Sequence, residues 1–166
     1  MADLRDQFYK LETRANVACL LGVDESYLIY DLYIKPSPKR YTTFSIPKKS
    51  GGIRSINAPN DGLKFVQQRL NQVLQTVYTP KKTVHSYISE KSIITNAKQH
   101  QNRRWILNVD LKDFFPSINF GRVYGMFMAW PYERNHEVAT ILAQICCYKN
   151  ELPQGAPTSP IISNML

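Results

Sequence analysis

Residues 105–117 read WILNVDLKDFFPS, and this stretch indicates how the chain is organised. The run from Trp105 to Val109 is short and rich in apolar residues, so it predicts a β-strand that ends directly at Asp110. A carboxylate there, beside a backbone carbonyl such as that of Leu111, can bind a divalent cation, because such cations prefer hard oxygen ligands. An Asp at a strand end can also simply cap the helix that follows. This pattern alone therefore does not distinguish a metal site from a helix cap, and the motifs elsewhere in the chain are needed to decide.

Two further residues of this stretch carry possible roles. Asp113 follows Asp110 by three positions, and Phe115 follows it by five. An aromatic ring so close to a metal could lie under the sugar of an incoming nucleotide. It would then collide with a 2′-hydroxyl group and favour deoxynucleotides.

Residues 152–160 read LPQGAPTSP and form the most specific signal in the chain. Three prolines fix the path of this loop, and Gly155 allows a planar base or sugar to approach the backbone. Gln154 offers an amide to a nucleotide, while Thr158 and Ser159 could bind phosphates or cap the next helix. An ordinary turn is the alternative, but nine specified positions in a row favour a binding loop.

The charge of the chain is strongly asymmetric. The net charge is +8, and residues 32–104 hold 14 of the 21 Lys and Arg residues but only two acids, Asp61 and Glu90. Basic side chains this dense repel one another unless an anionic partner such as nucleic acid neutralises them. A solvated basic surface explains the charge equally well.

The remaining sequence predicts a mostly helical chain with one β-hairpin. An apolar fraction of 43% is enough for a core. Helix signals cover residues 1–21 up to Gly22, residues 24–32 with Asp24 as cap, 60–77, a short helix capped by Ser92, and a helix begun by Asn135 that carries Val138, Ile141, Leu142 and Ile145. The runs Tyr41–Pro47 and Ile53–Ala58 predict two strands around the basic, glycine-containing tip 48–52.

The three cysteines indicate no disulfide framework and no zinc site. Cys146 and Cys147 are adjacent, and Cys19 is far from both in sequence. The start of the chain is too polar for a signal peptide, and residues 138–148 are too short to span a bilayer. We therefore expect a protein of the reducing cytoplasm.

Four segments together resemble the reverse transcriptases, and among them the bacterial retron enzymes. Residues 109–117 resemble the first catalytic motif of that family, and residues 152–160 resemble its Leu-Pro-Gln-Gly motif in the retron form. Residues 96–100, NAKQH, match the Asn-Ala-x-x-His signature of retron enzymes. Residues 48–54, KKSGGIR, are similar to the hairpin that holds the nucleotide triphosphate. The resemblance covers about residues 25–166.

The resemblance implies specific roles for these residues. It implies metal binding by Asp110, one of three catalytic carboxylates, together with Leu111; nucleotide binding by Lys48, Lys49, Arg54, Asp113, Phe114, Phe115, Gln154 and Gly155; and RNA binding by Asn96, Ala97 and His100. Which of Lys48 and Lys49 grips the phosphates stays open. His100 could also be an ordinary solvent-facing helix residue. Two Mg²⁺ ions are expected in the complete site, with Mn²⁺ as a possibility.

The resemblance also implies a fold and a domain division. We expect an α+β fold of the right-hand polymerase type, with helical fingers and a β-hairpin in residues 1–104. The first part of the palm is expected in residues 105–166, with no thumb. The Tyr-x-Asp-Asp motif that supplies the other two carboxylates is not in the sequence, so we expect a truncated chain, inactive alone. An apolar face should be exposed where the rest of the palm would pack.

The function implied is RNA-directed DNA polymerisation by two-metal nucleotidyl transfer. A retron enzyme copies part of its own structured noncoding RNA into DNA, typically from a 2′-hydroxyl of that RNA, which yields branched msDNA. Its expected partners are that RNA, the DNA product, deoxynucleoside triphosphates and an effector protein in antiphage defence. Two alternatives are a non-catalytic module that binds structured RNA and another bacterial reverse transcriptase, either group II intron-like or defence-associated.

Overall fold

The fold combines many short helices with one small antiparallel sheet. It was analysed as a computed structural model, which describes residues 3–48 and 51–166. In chain order the described elements are α1 (Leu4–Tyr9), α2 (Arg14–Leu21), α3 (Glu25–Ile29), a π-helix (Tyr30–Ile34), α4 (Ser37–Arg40), β1 (Tyr41–Pro47), β2 (Ile53–Pro59), α5 (Asp61–Val77), α6 (Ile93–Gln99), α7 (Phe114–Ser117), α8 (Phe120–Met128), α9 (His136–Cys146) and α10 (Ser159–Met165).

Helix α5 forms the centre of the core, as its periodicity predicts. The side chain of Asn60 accepts a hydrogen bond from the Leu63 amide at 2.9 Å and so caps the helix. Its apolar stripe packs against α1, α2, α9 and α10. The buried apolar residues of α5 are Leu63, Val66, Leu70, Val73, Leu74 and Val77. The predicted helix at 60–77 is therefore confirmed.

Two other predicted helices are confirmed with their caps. Asn135 caps α9 by accepting a hydrogen bond from the Val138 amide at 2.9 Å. Ser92 caps α6 through a capping box with Thr95. His100 is the C-terminal cap residue of α6 rather than part of it.

The prediction of one continuous N-terminal helix over residues 1–21 is wrong. It is two helices, because Thr13 begins α2 with its own capping box to Asn16. Gly22 ends α2 at φ +71°, as predicted. The next helix starts at Glu25 but passes into the π-helix, and the Asp24 side chain makes no capping hydrogen bond.

The β-hairpin is confirmed. β1 and β2 pair antiparallel from Tyr41 opposite Pro59 to Pro47 opposite Ile53. Ile46 faces Arg54 next to the tip, where Gly51 and Gly52 both adopt φ +86°. The hairpin therefore carries its basic residues at its free end.

A buried polar network joins the hairpin to the helical core. The fully buried Gln67 of α5 donates from Nε2 to the Tyr41 hydroxyl at 2.9 Å and to the Ile145 carbonyl at 2.8 Å. The Tyr41 ring stacks on Tyr148 with centroids 4.1 Å apart. The base of β1 is thus tied to the end of α9 and to the chain that follows it.

The strand predicted at Trp105–Val109 is wrong. Residues 105–110 have no strand assignment, and within the described chain β1 and β2 pair only with each other. A strand needs a neighbour to receive its backbone hydrogen bonds, and no described strand lies beside this one. The segment is instead exposed, with Trp105 at 84% and Leu107 at 87%. Ile106, Val109 and Leu111 are exposed as well, so the segment presents an apolar surface.

No described helix combines the length and apolar character that a membrane span requires.

Candidate active site

One cleft collects most of the predicted nucleotide-binding residues. Its volume is about 680 Å³, within the range of small-molecule sites. One wall is the hairpin, the other is the segment before and within α7, and the end wall comes from the loop after α9. The predicted residues that line it are Lys48, Arg54, Asp110, Leu111, Asp113, Phe114, Phe115 and Gln154. Lys49 lies outside the described residues.

The hairpin tip delivers positive charge to the cleft. The Lys48 amide donates to the Gly52 carbonyl at 3.0 Å, and the Gly51 amide donates to the Lys48 carbonyl at 3.1 Å. These two bonds join Lys48 to Gly51 and Gly52 at the tip. Lys48 and Arg54 consequently stand on either side of the tip, where their cationic groups can reach an anionic ligand.

Asp110 does not cap the helix that follows it. The N-cap position of α7 belongs to Asp113, at φ +50° and ψ +40°, and the Asp113 side chain makes no capping hydrogen bond. Both residues are exposed and line the cleft. The capping alternative for Asp110 is therefore removed, since Asp110 is not the N-cap residue of α7.

Phe115 stands between the core and the cleft. The ring is half-buried, packs against the hydrophobic core and lies 5.7 Å from the Phe114 ring. Because core contacts restrain it, the ring presents a fixed surface to the cavity.

The loop 152–160 is anchored on one side by the core. Leu152 is fully buried, and its amide donates to the Ile118 carbonyl at 2.9 Å. The buried Ser159 hydroxyl donates to the Pro153 carbonyl at 2.6 Å, and Thr158 is also buried. The prediction that Thr158 and Ser159 could reach phosphates is therefore wrong, since both point into the protein. Neither side chain supplies the alternative capping bond to α10.

On its other side the loop is joined to β2. The Asn57 amide donates to the Gln154 carbonyl at 2.8 Å. Gly155 has φ +110°, and a Cβ atom there would stand 2.8 Å from Ile56 Cγ2 and 3.2 Å from the Asn57 carbonyl oxygen. The glycine thus permits close approach to the hairpin, and Gly155 itself is not among the residues that line the cleft.

Comparison with known proteins identifies the family. Residues 46–166 match the family described as "Reverse transcriptase (RNA-dependent DNA polymerase)". The chain belongs to the reverse transcriptase family. Similar proteins include the Retron Mx65 reverse transcriptase of Myxococcus xanthus, 35% identical over 92% of this chain and 40% of the relative. The Retron Ec86 reverse transcriptase of Escherichia coli is 36% identical over 81% of this chain and 42% of the relative. The predicted resemblance to retron-type reverse transcriptases is confirmed.

This reverse transcriptase chain spans about two fifths of the length of those relatives. The coarse fold expectation also holds, because the described residues combine helices with a small antiparallel sheet.

Sequence reasoning assigned no role to six residues that line the cleft of this reverse transcriptase chain, and Glu151 is the acid among them. Glu151 is half-buried and lines the cleft beside Gln154. Its backbone closes a two-residue turn with Tyr148 through hydrogen bonds of 2.9 and 3.0 Å. The sequence offered one signal for Glu151, which is a charged residue directly before the loop 152–160. In the structure the next residue, Leu152, is buried.

The charged residues that line this cleft form no ion pairs with one another within the described part of the chain. Of the ion pairs formed within residues 3–48 and 51–166, Arg14–Glu25 at 2.9 Å and Lys35–Asp31 at 3.0 Å both lie elsewhere. The lining therefore keeps its cations and carboxylates for a ligand.

The residues predicted to bind RNA lie on a different surface. Asn96, Ala97 and His100 are all exposed on or next to α6. Ala97 and His100 border a separate, largely open cavity with the exposed Ile93 and Ile94. None of them lines the cleft, so the two predicted functions occupy two places.

The carboxylate oxygens of this cleft are ligands of the type that divalent cations prefer, but they are too few to hold a metal ion. Asp110, Asp113 and Glu151 line one cleft and offer hard oxygen atoms. Among the residues that the structure describes, however, no three His, Cys, Asp or Glu side chains group closely enough to hold a metal ion. These three side chains therefore do not form a metal site by themselves within the described residues.

Proposed function

We propose that the cleft is the nucleotide-binding part of an RNA-directed DNA polymerase active site. The observation that carries this proposal is that Asp110, Lys48, Arg54 and Gln154 all line one cleft. The whole protein that contains this chain would copy RNA into DNA. The match to the reverse transcriptase family supports this activity.

Lys48 and Arg54 bind the triphosphate in this proposal. The two cations flank a turn closed by backbone bonds, and cationic donors form strong hydrogen bonds to phosphate oxygens. Lys49, at the same tip, remains a candidate for this grip. Gln154 contributes the loop wall, with its side-chain amide turned to the nucleotide. Gly155 supports this wall by allowing the loop to approach β2.

Asp110 and the Leu111 carbonyl contribute the oxygen ligands for metal. Bound Mg²⁺, or Mn²⁺, would lower the pKa of the attacking hydroxyl and offset charge on the pyrophosphate leaving group. Two metal ions need more carboxylate ligands than this cleft provides. We therefore assign the remaining ligands to other residues of the whole protein.

The residues after Asp110 orient the nucleotide. Asp113 and Phe114 are assigned to the triphosphate and ribose through their backbone groups. Phe115 is assigned to exclude a 2′-hydroxyl, since its ring is held by core contacts at the cleft.

We assign residues 1–104 to the fingers and residues 105–166 to the first part of the palm of a right-hand polymerase. In this assignment the exposed segment 105–109 becomes a strand when the palm sheet of the whole protein lies beside it. The exposure of Trp105, Leu107 and Val109 supports this assignment.

The similarity to retron enzymes extends the proposal to the template. Asn96, Ala97 and His100 would recognise a structured noncoding RNA on the surface of α6, and that RNA would template msDNA. An effector protein and a role in antiphage defence follow from the same likeness. We place the protein in the cytoplasm, where its free thiols would stay reduced.

The test is primer extension by the whole protein carrying Asp110→Asn. We expect loss of deoxynucleotide incorporation by at least about a hundredfold, because the amide cannot replace a charged metal ligand. Asp6→Asn, an exposed acid of α1 outside the cleft, serves as the control and should keep full activity. Full activity of Asp110→Asn would reject the role assigned to Asp110 and to the cleft, and absence of metal-dependent incorporation by the wild-type protein would reject the polymerase assignment.

A non-catalytic RNA-binding module is the second candidate. The exposed surface of α6 favours it, because that surface is separate from the cleft. It predicts RNA binding by the whole protein without any metal-dependent incorporation, and the same primer-extension assay decides between the two.

A further inference from the structure

The wall that the hairpin gives to the cleft carries an amide side chain, that of Asn57, with no role in the proposed function. Side chains alternate along a strand, so those of Ile53, Ser55 and Asn57 share one face of β2. All three residues line the cleft. Asn57 is the half-buried member of this row and lies next to the loop that carries Gln154.

Two hydrogen bonds hold Asn57 in place. Its backbone amide donates to the Gln154 carbonyl at 2.8 Å. Thr43 pairs with Asn57 across the hairpin, and the Thr43 hydroxyl donates to Asn57 Oδ1 at 2.8 Å. The Asn57 side chain therefore has a fixed orientation, with its acceptor oxygen already occupied.

The donor end of this side chain remains open. Within residues 3–48 and 51–166, Asn57 Nδ2 forms no hydrogen bond, and it is not among the buried polar atoms that lack a partner. Solvent therefore reaches Nδ2, and a molecule in the cleft can reach it too, because Asn57 lines that cleft. Nδ2 carries two N–H donors, so its partner must offer a hydrogen-bond acceptor.

The distance of Asn57 from the hairpin cations indicates which part of a nucleotide it meets. In the proposed function Lys48 and Arg54 hold the triphosphate at the tip. Asn57 follows Arg54 by three residues, which is about 10 Å along a strand. With the phosphates at the tip, the sugar and the base lie further along the hairpin, towards Gln154. A neutral amide donor at that position suits an uncharged acceptor, because the cations already serve the phosphates.

We propose that Asn57 Nδ2 donates a hydrogen bond to the minor-groove edge of the base pair that forms in the cleft. The proposal rests on the proposed polymerase function. Every base pair presents acceptors on this edge, N3 of the purine and O2 of the pyrimidine. An enzyme that copies any sequence can use this contact, because these acceptors are common to all four pairs. The major-groove pattern, by contrast, changes with the pair.

The shape of an RNA–DNA duplex supports this assignment. Such a duplex has A-form geometry, with a wide, shallow minor groove and a major groove too narrow for side chains to enter. A short side chain that projects from a strand, as Asn57 does, can reach the minor-groove edge. The acceptor can belong to the templating base or to the incoming nucleotide, since both carry the same chemical group.

Single-nucleotide incorporation by the whole protein tests this contact with 3-deazaguanine, in which a C–H group replaces the acceptor N3. One arm places 3-deazaguanine in the RNA template opposite dCTP. The other arm offers 3-deaza-dGTP opposite a template cytosine. For the wild-type protein we expect kcat/KM to fall about fivefold in one arm, the effect of one lost hydrogen bond. The arm that shows the fall identifies which base Asn57 contacts.

Three variants separate the contact from its surroundings. Asn57→Leu removes the donor but keeps the backbone bond to Gln154, so the 3-deaza substitution should cause no further loss. Thr43→Val releases the Asn57 side chain and should reduce the fivefold loss to about twofold. Thr42→Val changes an exposed residue on the other face of β1 and should keep the fivefold loss. Each loss is a ratio measured within one protein, so a change in the folded fraction does not affect it.

Incorporation of natural nucleotides keeps the two proposals distinguishable. If the wild-type protein incorporates them but shows no 3-deaza loss in either arm, or the same loss as Asn57→Leu, the contact is overturned and the polymerase proposal stands. If the wild-type protein incorporates no natural nucleotide, the polymerase proposal fails and the assignment of Asn57 fails with it.

Discussion

At the residue scale, Gly155 shows how one missing side chain sets the shape of the cleft. The loop 152–160 reaches the hairpin because nothing projects from Gly155 towards Ile56 and Asn57. The hydrogen bond from the Asn57 amide to the Gln154 carbonyl then fastens the two walls together. Gln154, a residue of the cleft lining, is consequently fixed to β2 through its backbone.

Gly155→Ala should disrupt this contact. A Cβ atom 2.8 Å from Ile56 Cγ2, at φ +110°, forces the loop away from β2 and strains the backbone. We expect a loss of about 1–3 kcal/mol in the free energy of unfolding and weaker deoxynucleotide binding by the whole protein. Chemical denaturation and nucleotide titration measure the two effects.

Gly51→Ala is the matched control for that substitution. Gly51 also has positive φ, at +86°, but a Cβ atom there would meet nothing within 4 Å. It therefore carries the backbone strain without the clash. An equal loss in both variants would contradict the role assigned to the contact with β2.

At the scale of elements, the side chain of Gln67 fixes how the hairpin is attached to the helical core. Its single side chain bridges the Tyr41 hydroxyl at the base of β1 and the Ile145 carbonyl near the end of α9. The Tyr41–Tyr148 stack continues this connection to the turn that carries Glu151. Three elements that build the cleft are thereby held in one arrangement.

Gln67→Leu should destabilise the protein through this network. It leaves a buried hydroxyl and a buried carbonyl without their donor, at a cost of about 1–3 kcal/mol in the free energy of unfolding. Chemical denaturation measures it. Gln68→Leu, the exposed neighbour on α5, is the control and should change stability by less than about 0.5 kcal/mol. Similar values for the two variants would show that the bridge contributes nothing.

At the scale of the whole molecule, buried phenols and thiols make stability sensitive to alkaline pH. Burial raises the pKa of Tyr132 to about 12 and that of Cys147 to about 12, and it raises the pKa of Tyr41 and Cys146 further. The ordinary values are 10.0 for Tyr and 9.0 for Cys. The unfolded chain therefore loses these protons at lower pH than the folded protein does.

Stability should consequently be complete below about pH 9 and fall as the pH rises towards 12. The thiols begin this loss and the phenols add to it above pH 10, each by up to about 1.4 kcal/mol per pH unit. Urea denaturation at pH 8, 10 and 11 measures it. Tyr132→Phe should reduce the slope above pH 10, and an unchanged slope would contradict the contribution of Tyr132.

The isolated chain of residues 1–166, in which the apolar segment 105–111 is exposed, gives one more prediction at this scale. We expect residues 1–166 alone to show no deoxynucleotide incorporation in primer extension with Mg²⁺, because the described residues group no three metal-binding side chains. The whole protein is the positive control. Metal-dependent incorporation by residues 1–166 alone would refute this expectation.

The sequence by itself determined features that depend on neighbours along the chain. The 3.6-residue periodicity of α5, the caps at Ser92 and Asn135, and the hairpin around residues 48–52 all follow from local chemistry. The four segments at 48–54, 96–100, 109–117 and 152–160 together also predicted the reverse transcriptase family.

Only the tertiary structure decided which surfaces meet. It left residues 105–109 unpaired, because a strand requires a partner that no local pattern can supply. It turned Thr158 and Ser159 inward, placed Gly155 against β2 and brought Glu151 into the cleft. These outcomes depend on contacts between residues up to about a hundred positions apart, and local spacing carries no record of them.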